Sequence, residues 1–489
     1  MSLSASCAPP TTLNRIKAAD MPFAKGDEVI LDIEQFADRG QCISRVDGYV
    51  VFVPHVVPGD RVRVRIRKRK KNFAEATLVE ILSPSPRRTD PACRYFGSCG
   101  GCKWQHLDYH AQLEAKRESV ESALRHHGGF ADLVVPEVIG ADEQYGYRNK
   151  MEFSFSARRW LTDWEIASGE ELHKEFALGL HVPGQFDRVL DIHDCRLIPE
   201  NLMAFVNGIR TFALEHGWTA WHIRNHAGFL RHLVVRISKH TSDCMANIVT
   251  SGRRDDRMNE LADYVREHHP IVSTLVNTIN SGVAQTSMGE AAHVVFGPGT
   301  ISERLGPFTF EIGPSTFFQT NTVQAERLIE SAIEFADISK SDTVFDLYCG
   351  CGSISLFAAQ RARQVIGIEL VPEAVEAATR NAAANGIENC TFVAGDMLYA
   401  FTDDFIRAYS RPDVIIVDPP RSGIHPKVVK RLVRLGAPRI VYVSCNPLSQ
   451  ATDLAGLSER YRITGVQPVD LFPHTHHIEN IVKLELKPV

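Results

Sequence analysis

The sequence predicts an α/β protein in three parts: a C-terminal doubly wound domain, a small N-terminal β-barrel, and a mixed α+β domain between them. Two patterns carry that prediction. From Ser341 onward the apolar runs VFDLY, QVIGIEL, CTFVAGD, DVIIVDPP and RIVYVSC alternate with helical stretches such as EAVEAATRNAAA, which is the alternation of a parallel βαβ chain. From Lys25 to about Ser83 the chain shows short alternating runs broken by glycine, such as EVILDIEQFA, GYVVFVPHV and DRVRVRIRK, the strand-and-turn rhythm of a compact antiparallel barrel. The length, 489 residues, exceeds one ordinary core and calls for two or three domains.

In chain order, residues 1–22 lack periodicity and carry Pro9 and Pro10, so a flexible leader is expected. Residues 23–84 form the barrel. Within it Arg61, Arg63, Arg65 and Arg67 alternate with Val62, Val64 and Ile66, placing the arginines on one strand face and the aliphatics on the other. Lys68, Arg69, Lys70 and Lys71 extend the positive edge. One reading of this row is a solvated outer face. The other, set against a net charge of -5, is a contact for a phosphate backbone. PSPRRTD (84–90) is a linker by its prolines and charge. Residues 85–335 then make the central domain, with a helical stretch DYHAQLEAKRESVESALRHH and strand-like KMEFSFSARRW, HLVVRISK and TLVNTINS. Residues 336–489 make the doubly wound domain.

No run approaches the roughly 20 apolar residues of a membrane span, and the N-terminus lacks the charged-then-apolar order of a secretory signal. A cytoplasmic protein with no membrane partner and no obligate protein partner is expected. Eleven cysteines without an export signal argue for reduced thiols, metal ligation or catalysis rather than a disulfide framework.

The first strand of the doubly wound domain runs into DLYCGCGS (346–353), where Gly350 and Gly352 let the backbone turn and approach a ligand. The second ends at Glu369, placed to accept both hydroxyls of a ribose. A dinucleotide site would share that much. Two features point instead to S-adenosylmethionine: the loop is not GxGxxG, and the fourth strand ends in Asp418-Pro419-Pro420-Arg421. Amino-group methyltransferases carry an aromatic residue after such prolines, so Arg421 favours a carbon target. Asp396, ending the third strand, is placed for the adenine amino group. The alternative for these carboxylates is simple loop capping.

The fifth strand ends in VSCNP and presents Cys445 at the same sheet edge. A lone cysteine is most often an inert core residue. Beside a methyl-donor site, however, a thiolate can add to carbon-6 of uracil and make carbon-5 nucleophilic. The carbon-5 proton must then leave before the thiolate can, which requires a base. Glu479 stands just before the last apolar strand, with His474, His476 and His477 as rivals. Three clustered histidines also raise a metal site, but no thiolate or carboxylate pattern completes one, so a positioning role is expected.

FFQTN (317–321), DLYCGCGS, DPPRSG, SCNP and FPHTHHIE together resemble the RNA 5-methyluridine (uracil carbon-5) methyltransferase family, in order and at compatible spacing from about residue 20 onward. The resemblance implies a Rossmann-like methyltransferase domain in which Gln319, Tyr348, Ser353, Glu369, Asp396 and Asp418 contact S-adenosylmethionine. It makes Cys445 the nucleophile and Glu479 the base. Cys93, Cys99 and Cys102, with Cys195, form a four-thiol set whose spacing suits zinc or an iron-sulfur cluster equally. The resemblance tips the choice to 4Fe-4S, because the subset acting on 23S ribosomal RNA joins this set to a TRAM-like barrel. Radical enzymes use C-x3-C-x2-C instead, so a structural cluster and polar chemistry are implied.

Cys7, Cys42, Cys244, Cys349, Cys351 and Cys390 are expected to be packing residues. RNA is the expected partner, 23S rRNA before tRNA. The target base would be flipped from a loop while Arg61, Arg63, Arg65, Arg67, Lys68 and Arg69 hold the backbone, with steep salt dependence. RRWLTDWEIASGEELHKEF departs from the family pattern as an inserted hairpin. The competing classes are an RNA-binding or ribosome-assembly factor without turnover, and a cytosine carbon-5 enzyme, which would show a different pair of cysteine motifs.

Overall fold

A computed structural model describes residues 22–37 and 40–488. The expected leader, apart from Pro22, and Cys7 within it lie outside the described residues. The chain forms two compact units, one comprising the residues up to Asp90 with His106–Asp108, the other Pro91–Gln105 with Tyr109 onward.

The first unit is a six-stranded sheet. Its strands are β1 (Glu28–Asp32), β2 (Gln35–Phe36), β3 (Cys42–Val46), β4 (Tyr49–Val53), β5 (Arg61–Arg69) and β6 (Phe73–Ser83), in the order β1-β5-β6-β4-β3-β2. All pairs are antiparallel except β4 with β6, which is parallel. The alternation in β5 works as anticipated: Val62, Val64 and Ile66 are buried in the barrel core beside Val51 and Val53. The arginines face outward, and each meets a carboxylate. Arg61 pairs with Asp32 at 3.7 Å, Arg63 with Glu80 at 3.0 Å and Arg65 with Glu28 at 2.6 Å, while Arg67 and Lys68 share Glu75 at 3.2 and 3.3 Å. Asp60, fully buried, accepts from Arg88 at 2.7 Å and from the amides of Val57 and Ser85.

The second unit begins with the cysteine-bearing loop and α1 (Tyr109–His126). Then follow β7 (Lys150–Ser156), β8 (Arg159–Trp160), α2 (Asp163–Ser168), β9 (Ala177–His181), β10 (Val189–Asp191), α3 (Glu200–Glu215), β11 (Leu230–Ile237), β12 (Cys244–Thr250), α4 (Asp255–His268), β13 (Thr274–Ile279) and β14 (Ala291–Phe296). The strands form an eight-stranded sheet, β14-β13-β12-β11-β7-β9-β10-β8. One face packs on α3 and α4 through Phe153, Phe155, Leu233, Val235, Phe205 and Leu261. The segment expected as an inserted hairpin is instead the two-residue β8 and the short helix α2. Thr162 and Glu165 close a capping box at its start, and this local helix signal outweighs strand pairing.

Next come the β15 (Ile301–Leu305) and β16 (Phe308–Ile312) hairpin and α5 (Thr322–Ala336), then β17 (Thr343–Leu347), α6 (Ser353–Ala359), β18 (Gln364–Glu369), α7 (Pro372–Ala384), β19 (Cys390–Ala394), α8 (Met397–Ala400), α9 (Asp403–Tyr409), β20 (Val414–Val417), α10 (Pro426–Leu435), β21 (Arg439–Ser444), α11 (Pro447–Leu457), β22 (Tyr461–Val469) and β23 (Glu479–Leu486). The sheet order is β19-β18-β17-β20-β21-β23-β22. β17 to β21 are parallel, and β23 enters antiparallel between β21 and β22. Strand order reverses between β17 and β20, the switch point where such sheets bind ligands.

Helices cover both faces. α5 and α6, with the β15–β16 hairpin, bury Leu328, Ile333, Leu356 and Phe310 against Val344 and Ile416. α10, α11 and α1 bury Val428, Leu454, Val120 and Leu124 against Phe345 and Ile415. The core of the doubly wound domain thus draws on α1 and α5, both of which precede the boundary expected at residue 336.

Candidate active site at the carboxyl edge of the sheet

The expected ligand-binding residues gather where the parallel strands end. Tyr348, immediately after β17, has φ 71°, and its amide donates to Ile368 O at 2.9 Å, so the loop doubles back onto β18. Gly352 has φ 88° and caps α6. A Cβ there would meet Ala378, Leu356 and Phe392 at 3.3 Å, so both the backbone angle and the close packing select glycine. Glu369 accepts from Gly350 N at 3.1 Å and Val371 N at 2.9 Å. Asp396 is the N-cap of α8 and accepts from Leu398 N at 2.8 Å. Both carboxylates therefore do serve as loop caps, the bland alternative, while lying at the ligand edge. Gln319 sits on the loop between β16 and α5, where its carbonyl accepts from Asn149 at 2.9 Å. That loop is tied to the glycine loop by Cys351 Sγ, 3.6 Å from Phe317 O.

The edge is strongly acidic. Asp346 is fully buried, accepts from Ser355 at 2.5 Å, and leaves Oδ1 without a partner. Burial, opposed by the Ser355 bond and reinforced by Glu369, raises its pKa to about 7. Burial and then Asp346 raise Asp418 to about 7 as well. Carboxyls that repel one another in a dry edge lose that repulsion when a cation arrives. The residues therefore fit S-adenosylmethionine, whose sulfonium and ammonium are both cationic.

Cys445 follows β21 directly, and Glu479 opens β23. The β21–β23 register runs to Ser444 opposite Asn480, so Cys445 and Glu479 are the next facing pair. Glu479 is buried, and its pKa is pushed well up by burial and by Asp418, with Arg421 opposing. The Cys445 thiol is raised to about 11, first by burial and then by Glu479, while the Arg421 charge pulls the other way. Asp453 holds the Arg421 turn by accepting from Ile424 N and Tyr442 OH, both at 2.7 Å. Gly423, with φ 80°, would place a Cβ 2.6 Å from that carboxylate.

The comparisons with known proteins bear on this edge. Residues 300–487 match the model of the family described as tRNA (Uracil-5-)-methyltransferase, and residues 22–79 that of the TRAM domain. A protein of Bacteroides thetaiotaomicron described as an uncharacterized RNA methyltransferase is 42% identical over 454 residues, 92% of this chain and 100% of that one. One of Chlorobaculum tepidum, described likewise, is 40% identical over 476 residues, 96% of this chain and 99% of the relative. The chain belongs to the RNA uracil-5-methyltransferase family. Among solved structures, the Pyrococcus abyssi tRNA (uracil-54, C5)-methyltransferase in complex with S-adenosyl-L-homocysteine is 28% identical, spans 93% of this chain and 100% of its own, and superimposes with a TM-score of 0.73. S-adenosylmethionine dependence goes with that membership. No described helix is long and apolar enough to cross a membrane.

Relative to the family motifs, the loop before Glu479 is held from behind. Lys116 and Asp470, both fully buried, pair at 2.6 Å, and Lys116 also donates to Phe472 O. The His474 carbonyl accepts from the amides of Lys103 and Trp104 at 2.8 and 3.0 Å, and its ring stacks on Tyr145 at 4.3 Å. Burial lowers His474 to about 4 and His477 to about 3.

The same contacts bring the cysteine loop close. Burial raises Cys93, Cys99, Cys102 and Cys195; Cys99 also feels the other three, Cys102 feels Cys93 and Cys195, and Cys195 feels Cys93, while Asp194 adds to the rise at Cys93. Four thiols without a carboxylate are the donor set of a soft metal or a cluster. Among the described residues, however, no group of three or more possible ligands is arranged to hold a metal ion. Cys42, Cys244, Cys349 and Cys351 are buried and Cys390 is half-buried. Sequence reasoning missed Asp346, whose position in DLYCGCGS was visible but whose orphaned oxygen was not. It also missed the electrostatic influence of Arg421 on Cys445, which only the fold creates.

Proposed function

We propose that this chain methylates carbon-5 of a uridine in RNA through a covalent adduct, with Cys445 as nucleophile and Glu479 as base. The observation that carries the reading is the β21–β23 register, which ends with Ser444 opposite Asn480 and so leaves Cys445, just past β21, beside Glu479 at the start of β23. S-adenosylmethionine, when bound, supplies an electrophilic methyl group. The Cys445 thiolate forms a bond to carbon-6 of uracil, and the ring electron pair moves onto carbon-5, which takes the methyl. Glu479 then accepts the carbon-5 proton. The released C–H pair restores the carbon-5 to carbon-6 double bond and expels the thiolate. Arg421 stabilises the thiolate before addition and after release. A carboxylate whose pKa is raised is the stronger base. His474 and His477, held neutral with lowered pKa, are weak ones, which supports Glu479.

Gln319, Tyr348, Ser353, Glu369, Asp396 and Asp418 would hold S-adenosylmethionine, and Asp346 belongs with them. Cys93, Cys99, Cys102 and Cys195 would hold a structural 4Fe-4S cluster, with zinc the alternative. Arg61, Arg63, Arg65, Arg67, Lys68 and Arg69 would contact the RNA backbone, although the carboxylate partners of the first five reduce the net positive charge they present. The four-thiol set joined to a TRAM domain supports 23S rRNA as substrate. The action of the Pyrococcus abyssi enzyme on tRNA uracil-54 favours a second reading, the same chemistry on tRNA.

Transfer of labelled methyl to unmodified 23S RNA and bulk tRNA in parallel, followed by nucleoside identification, decides between them. Labelled 5-methyluridine in 23S RNA is the expected result. Label in tRNA alone overturns the substrate and keeps the chemistry. No label in either from protein with its thiol centre intact returns the chain to the class of RNA-binding factors.

A further inference from the structure

This inference rests on the RNA reading above and concerns a surface of the catalytic domain outside the carboxyl edge. Helix α10 follows directly on the DPPRSG turn. Its Val428, Val429, Leu432 and Val433 are buried, while Lys427, Lys430 and Arg434 are exposed at i, i+3 and i+7, along one face. Between α10 and α9 lies a groove of about 330 Å³, lined by Arg407, Arg411, Arg431 and Arg434 together with Ile406, Leu435 and Asp403.

The bonding of these arginines leaves charge to spare. Arg411 donates to the carbonyls of Leu435 and Gly436, and Arg431 to that of Phe401. Neutral acceptors satisfy the N–H groups without cancelling the charge. Arg434 meets Asp403 at 2.7 Å, and Arg407 pairs with Asp404. Lys427, Lys430 and the four arginines thus stand against two aspartates, in a chain whose net charge is -5. On the barrel, by contrast, each of Arg61, Arg63, Arg65 and Arg67 faces a carboxylate.

We propose that the α9–α10 groove and the exposed face of α10 bind the phosphate backbone of the substrate RNA, guiding the strand from the DPPRSG turn along the domain. Guanidinium forks match phosphate oxygens two at a time. Exposed pairs such as Arg434–Asp403 are weak enough to exchange for phosphate.

The test measures binding of unmodified 23S RNA and bulk tRNA to the whole protein as a function of KCl, with Arg407→Gln/Lys430→Gln/Arg434→Gln as the variant. Arg411 and Arg431 are left in place because their carbonyl bonds also hold the fold. The expected result is roughly hundredfold weaker binding near 0.1 M salt and a log–log salt slope shallower by about 2, since each lost phosphate contact removes about 0.7. Asp403→Asn/Asp404→Asn should move the other way and tighten binding, which a purely structural role for these side chains does not predict. Wild-type affinity and slope in the first variant, or no tightening in the second, overturn the groove while leaving the methylation reading intact. A wild-type protein that binds neither RNA overturns both.

Discussion

Cys445 must be a thiolate to add to a pyrimidine, and in the free protein its pKa is raised to about 11 by burial and Glu479. Only a small fraction is ionised near neutrality, so the rate of methyl transfer should climb from pH 7 toward pH 10. Arg421 is the cationic counterweight, and Arg421→Ala should shift that limb to higher pH and slow transfer at pH 7.5 by about tenfold, one pKa unit's worth. A pH–rate profile that does not move with this substitution contradicts the assignment. Asp346 gives a second test at this scale. Its folded pKa, about 7, lies above the ordinary carboxylate value, so the folded state holds the proton more tightly than the unfolded one. Its contribution is fully present below about pH 4 and is lost as pH rises through about 7. Asp346→Asn removes that loss, so its stability relative to the wild type should grow between pH 4 and pH 8, by at most about 4 kcal/mol, as read by urea unfolding at both ends. Cys445 and Glu479 were legible in the sequence because each stands at a strand end inside a motif. The repulsion among Asp346, Asp418 and Glu479 was not, because it depends on β17, the residue after β20 and the start of β23 coming together at one sheet edge.

At the scale of elements, the loop from Asp470 to Ile478 is fixed by α1 through the Lys116–Asp470 pair. With both groups fully buried, removing one strands the other. Lys116→Met should cost about 3–5 kcal/mol, and adding Asp470→Leu should recover part of it. Additive losses in urea unfolding would contradict this account of the loop. The buried strands β17, β18, β20 and β21 were readable because parallel interior strands are continuous apolar runs. The edge strand β22 was not, since Gly465 and Pro468 interrupt its pattern and its pairing with β23 shifts register between Ile463 and Gly465. Helix α2 escaped because its signal lies in the pair Thr162 and Glu165 rather than in apolar periodicity.

For the whole molecule, the sequence marked the barrel and the doubly wound sheet but could not reveal that α1, about 200 residues away in sequence, completes the core of the latter. Long-range packing of this kind leaves no local pattern. The four-thiol set is distributed in the same way, with Cys195 on a segment far from Cys93, Cys99 and Cys102. Protein purified without oxygen should carry about four irons and matching labile sulfide per chain, with visible absorbance that Cys102→Ser abolishes. Stoichiometric zinc would replace the cluster by the alternative.

The most direct test of the central claim is a denaturing gel of Glu479→Gln mixed with labelled substrate RNA and S-adenosylmethionine. If Glu479 removes the carbon-5 proton, the variant should stall after methyl transfer and hold RNA through Cys445, giving a slow band that survives denaturation and vanishes when Cys445→Ala is added. Normal turnover by Glu479→Gln, or a stalled band that persists without Cys445, would contradict the account.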